Sequence, residues 1–134
     1  MNKASLGPAP RDYVGRSPLN APESIALYNF TISHNFRLAI AYHTQGNIIF
    51  WQFQNYTPYE SRNIDRAFSE VSGYSPEDTP YNSSFAGYKD WFIQDYSKPG
   101  FTIESGIGTN PLSISQFDKI YKDNIGILVL GMVI

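Results

Sequence analysis

Two side chains in this sequence stand where short β-prone runs give out. His43 follows Leu38, Ala39, Ile40 and Ala41, an apolar run of the kind a buried strand uses. Thr44-Gln45-Gly46 breaks that run, and Ile48, Ile49, Phe50 and Trp51 open a second one. Glu104 closes the run Phe101-Thr102-Ile103 and is followed by Ser105-Gly106-Ile107-Gly108. Open α/β sheets bind ligands outside the carboxyl ends of their strands. Either residue alone is most simply a satisfied or solvated strand-end group. Taken together, a His ligand and a Glu general base are what a hydrolytic zinc site needs. The metal activates a water, and the carboxylate moves its proton to the leaving amine.

The chain must supply the elements that hold this pair. Its 134 residues are enough for one domain, and nine phenylalanines and ten tyrosines within a 42% hydrophobic composition can build a core. The formal net charge is -2, with scattered Lys and Arg, which argues against nucleic acid or an anionic membrane as partner. There is no cysteine, so disulfides and thiolate metal sites are excluded. The N-terminal residues lack the apolar segment of a signal peptide, and the expectation is a cytoplasmic protein. The apolar end from Ile125 to Ile134 is about half the ~20 residues of a membrane span, and predicts the end of a buried helix.

Residues 1–19, with Gly7, Pro8, Pro10, Gly15 and Pro18, read as irregular. Asn20, Pro22 and Glu23 predict a helix start, with Ile25, Tyr28 and Ile32 on one face. Thr57-Pro58-Tyr59-Glu60 has the form of a capping box, followed by Ile64, Ala67, Phe68 and Val71 at helical spacing and Gly73 as a stop. Ser75 to Ser84 reads as polar loop. Tyr88, Trp91, Phe92 and Tyr96 predict a third helix with Lys89 off its apolar stripe. A last helix opens near Ser113 and turns Phe117, Ile120, Tyr121, Ile125 and Leu128 inward. Strands alternating with helices predict an α/β layered domain.

These stretches resemble the zinc carboxypeptidase (carboxypeptidase A-like) family, and within it the bacterial γ-D-glutamyl-meso-diaminopimelate peptidases. The resemblance is carried by His43-Thr-Gln-Gly46 with the strand after it, by Gly87-Tyr-Lys-Asp-Trp91 and by Phe101-Thr-Ile-Glu104. Pro10 to Gly15, Leu19 to Glu23 and Ser115 to Asp118 extend it in order over nearly the whole chain. It implies part of a mixed β-sheet flanked by helices, zinc as cofactor and a peptidoglycan-derived peptide as substrate. It makes His43 the last of three zinc ligands and Glu104 the general base. Lys89 falls in the side-chain specificity pocket, where its charge suits the distal carboxylate of diaminopimelate. Tyr81 is the candidate for the tyrosine that covers the substrate.

The family's first two zinc ligands come from an upstream His-x-x-Glu motif. Here the histidines are His34 and His43, and neither begins one. None of Arg11, Arg16 or Arg37 matches the arginines that grip the substrate carboxylate. The resemblance therefore implies that residues 1–134 form the C-terminal half of a catalytic domain, binding zinc weakly or not at all alone. Two expectations follow. The chain serves a peptidase that another segment completes, or it is an inert peptide-binding or assembly module. Either way, uncovered strand edges predict a homo-oligomer or pairing with a complementary N-terminal half.

Overall fold

The computed structural model describes residues 7–10, 13, 15–85 and 87–134. The chain divides into two compact units, residues 1–36 and 37–134.

The first unit contains helix α1, Pro22–Ile32. Proline opens it as predicted, but the cap position is Ala21 and no side chain caps it. Asn20 instead packs against Gly15, at φ +88°, where a β-carbon would collide with the Asn20 side-chain amide. At the other end His34 Nδ1 lies 2.7 Å from the Phe30 carbonyl, so this imidazole finishes its own helix.

The second unit holds a mixed four-stranded sheet of order β1-β4-β2-β3. The strands are β1, Ala39–His43; β2, Ile48–Phe50; β3, Ser75–Glu77; and β4, Gly100–Glu104. β1 runs parallel to β4, β2 antiparallel to β4, and β3 parallel to β2. Three helices belong to this unit: α2, Ser61–Ser72; α3, Tyr88–Tyr96; and α4, Phe117–Val133. The expected mixed sheet flanked by helices is what the chain forms.

Alternation along β4 assigns its two faces. Phe101 and Ile103 point to the α2 and α4 side, where they join Ile49, Ile64, Phe68, Tyr74 and Ile127 in the core. Gly100, Thr102 and Glu104 point to the α3 side. A β-carbon on Gly100 would stand 3.0 Å from Ile93 and 3.2 Å from Lys89 Cγ, so glycine lets α3 settle onto the sheet.

Several local expectations fail for identifiable reasons. Thr57 does not cap α2. The helix starts at Ser61 after a turn closed by Ser61 N–H to the Pro58 carbonyl, and Glu60 is drawn to Arg37 at 2.6 Å. Gly73 does end it, in the left-handed region at φ 74°. The stretch read as loop contains β3, whose proline is tolerated because the strand is a sheet edge. In α3 the expected stripe is displaced: Lys89, Asp90, Phe92 and Ile93 are buried, while Tyr88 and Trp91 are only partly so.

From Ile125 on, α4 is apolar all round, so periodicity could not fix its inward face. Ile127 and Asn124 are buried, with Ile120 and Leu130 partly so, whereas Phe117, Tyr121, Ile125 and Leu128 are exposed. Small residues choose the face: Gly126 lies against Val71 and Gly131 against Ile40. The helix end is not buried either, since Met132 and Val133 are about three-quarters exposed.

Candidate active site

His43 and Glu104 are register partners at the ends of adjacent parallel strands. Paired residues share a face, so imidazole and carboxylate project together from the α3 side. Ile48 of β2 flanks Glu104 on its other side. The loops that follow β1 and β4 are tied to each other. Ser105 N–H donates to the His43 carbonyl at 2.9 Å, and Gly46 N–H to the Gly106 carbonyl at 2.7 Å. Gly106 N–H reaches Asn47 Oδ1 at 2.8 Å. Thr44 and Asn110 exchange two further bonds, and Gln116 brackets Ile107 through both its amide oxygen and nitrogen. The strand ends are thereby held as one rigid rim.

Glu104 is half-buried, and its Oε2 is enclosed with no hydrogen-bond partner. Desolvation raises its pKa above the usual carboxylate value, and the neighbouring His43 opposes the rise. A carboxylate left unsatisfied and shifted toward neutrality suits proton transfer better than structural support.

Behind the rim, on the α4 side, Asn124 is a buried polar hub. Its Nδ2, with two hydrogens to share, lies 2.8 Å from the Ile120 carbonyl and 3.1 Å from both Ser105 Oγ and Tyr74 OH. An apolar groove of about 530 Å³ runs past His43 between β1 and α4, lined by Tyr42, Thr44, Ser105, Phe117, Tyr121 and Leu128 among others. Burial first, and Tyr74 second, push the Tyr42 phenol up to about 12, so it stays a neutral hydroxyl at working pH.

Lys89 and Tyr81 lie elsewhere on the same unit. Lys89 sits over Gly100, at the start of β4 and on the face that carries Glu104 at its end. Four residue steps of extended strand lead from Gly100 to Glu104, roughly 13 Å. The ammonium is enclosed, with the Gln52 carbonyl at 2.6 Å, Thr79 Oγ1 at 2.8 Å and Asp90 Oδ1 at 2.8 Å. Burial lowers its pKa, against the pull of Asp90. Tyr81 opens a 3₁₀ turn, Tyr81–Ser83, and is 71% exposed. Its ring meets Phe85 edge-on at 5.1 Å. So the structure brings His43 to Glu104, and ties the Tyr81 loop to Lys89. The sequence reading missed Asp90, Gln52 and Thr79. Only Asp90 left a signal, as an acid in the first turn of a helix.

A mixed sheet flanked by helices is the fold this chain shares with carboxypeptidase A. The crystal structure of carboxypeptidase A from Helicoverpa armigera superposes with a TM-score of 0.64 at 17% identity, covering 88% of this chain and 35% of that one. In sequence the chain is 53% identical over 93% of its length to γ-D-glutamyl-L-diamino acid endopeptidase 1 of Lysinibacillus sphaericus. It is 42% identical over 90% of its length to the uncharacterized protein YqgT of Bacillus subtilis. The resemblance read from the sequence is thus borne out in both sequence and fold. The chain spans about a third of the length of these curated relatives. No family model matches it. No helix among the described residues is long and apolar enough to cross a membrane.

Proposed function

We propose that this chain carries the strand-end part of a metallopeptidase site that cleaves an amide bond to a diamino acid, diaminopimelate foremost, in cell-wall peptides. One observation supports it above the others: a half-buried Glu104, its Oε2 enclosed and unpartnered, in register with His43 where two parallel strands end. In this reading Glu104 is the general base. It takes a proton from the attacking water and delivers it to the departing amine. His43 is a zinc ligand. Lys89 and Tyr81 belong to the substrate-binding part of the same sheet face.

Zinc fits this chain only in part. Among the described residues no three His, Cys, Asp or Glu side chains group closely enough to hold a metal. A catalytic zinc takes about three protein ligands, and His43 is one. The isolated chain should therefore show no tight, stoichiometric zinc binding by calorimetry. Tight binding that His43→Ala abolishes would overturn this and point to a ligand set not recognised here.

The activity is tested by replacing the matching stretch of the L. sphaericus endopeptidase with this chain. The chimera should hydrolyse a γ-D-glutamyl-diaminopimelate peptide, and Glu104→Gln should lower turnover by about 10²- to 10⁴-fold. A folded but inert chimera would sink the reading.

A second reading, a non-catalytic assembly module, draws on the open edges. β1 and β3 are edge strands, and α4 exposes an apolar stripe from Phe117 to Met132 beside β1. A complementary N-terminal portion, or a second copy, would cover these surfaces. Light scattering that finds the chain monomeric at high concentration would exclude self-association.

A further inference from the structure

Lysine has three N–H donors, and the Lys89 ammonium makes two hydrogen bonds and one ion pair within this chain. Gln52 and Thr79 belong to the segments on either side of α2 and β3, and Thr79 Oγ1 itself donates to the Gln52 carbonyl at 2.7 Å. Asp90 Oδ1 stands 2.8 Å from the ammonium as an ion pair, without the alignment of a hydrogen bond. The other oxygen of that carboxylate, Oδ2, accepts from Phe85 N–H at 3.1 Å. Phe85 has φ 88°, a region that costs a non-glycine residue energy and persists only where its surroundings impose it. Its ring packs on Tyr81 on one side and on buried Phe53 on the other, at 5.1 and 6.0 Å. Lys89 and Asp90 are each about 95% enclosed, so these bonds are made out of water, where they are strongest.

We propose that Lys89 and Asp90 form a buried bracket that pins the 79–85 loop to the end of β2 and so positions the Tyr81 ring. Lys89 then acts on substrate through the loop, as a positioning residue, and its ammonium does not contact the substrate. The catalytic consequence rests on the peptidase reading above, whereas the bracket is a property of the fold and is measured separately.

The fold test is amide hydrogen exchange and ring-to-ring NOEs on the full chain. In Asp90→Asn and Lys89→Met, Phe85 N–H should exchange about tenfold faster or more, and the Tyr81–Phe85 NOEs should fade, with Phe101 and Ile103 amides unchanged. Thr79→Val, which leaves the ion pair in place, should loosen the same loop amides less, and serves if the charge variants fail to fold. Unchanged loop exchange in a folded variant overturns the bracket. In the active chimera, Lys89→Met should lower turnover of diaminopimelate and lysine peptides alike. A loss confined to the diaminopimelate substrate would mean direct contact, and would overturn the positioning role. An inert chimera sinks the peptidase reading and leaves the exchange result to decide the bracket.

Discussion

One face of β4 has an ionisable side chain at each end, Lys89 of α3 over its start and Glu104 at its finish, yet the two ends are built oppositely. At the start, Lys89 over Gly100 is sealed, with two hydrogen bonds and an ion pair around its ammonium. At the finish, Glu104 keeps an enclosed oxygen that nothing satisfies. Folding tolerates a buried charge when neighbours solvate it, and an unsolvated one is a cost that chemistry can draw on. The first end should therefore matter to stability and the second to reactivity.

The sharpest way to break that contrast is at Lys89. Lys89→Met strands the Asp90 carboxylate, and should cost about 3–5 kcal/mol in denaturant unfolding. A loss below about 1 kcal/mol would mean that the sealed end is not structural.

Asp65 separates an unsatisfied group from a reactive one. It is fully buried in α2, neither oxygen has a hydrogen-bond partner, and Arg62 lies 3.6 Å away. Burial, countered by Arg62, raises its pKa to about 7. Because the folded-state value exceeds the unfolded one, no penalty exists below about pH 4. The penalty then grows as pH rises toward 7 and levels off above it. Asp65→Leu should stabilise by about 1–3 kcal/mol at pH 8 and hardly at pH 4. Stabilisation equal at both pH values would show that charge is not the cause.

Glu104→Gln should behave in the same direction but more weakly, because Glu104 is only half-buried: neutral at pH 4, and stabilising by about 1 kcal/mol or less at pH 8. Destabilisation would mean that the carboxylate supports the fold, and would dissolve the contrast between the two strand ends. The smallest effect is at Thr57, which caps nothing. Thr57→Ala should stay within about 0.5 kcal/mol, and a loss near 1 kcal/mol would restore the capping box.

Much of this arrangement was legible in the sequence, where local chemistry decides. Gly73 and Pro22 marked a helix end and a helix start, and the runs ending at His43 and Glu104 were strands. Where partners distant in the chain decide, the reading failed. Glu60 looked like a capping residue until Arg37, 23 residues away, took it. Lys89 lay off the apolar stripe by spacing, but Gln52, 37 residues away, solvates it inside. α4 offered several apolar faces, and glycine contacts on α2 and β1 selected among them. The His43 and Glu104 pair was visible as two separate strand ends. Their pairing came only from the family resemblance, because no local rule sets β1 beside β4.

The bonds between Thr44 and Asn110 close across 66 residues. The rim of the site is therefore among the most non-local parts of the chain, joined only when two strands distant in sequence have already found each other. Contacts of that kind are expensive in chain entropy and slow to form. During refolding, α2 can take shape from neighbours in sequence while His43 and Glu104 are still apart. The order of assembly then runs from scaffold to site, and a chain caught partway would hold helices without yet holding the pair of residues that gives it chemistry.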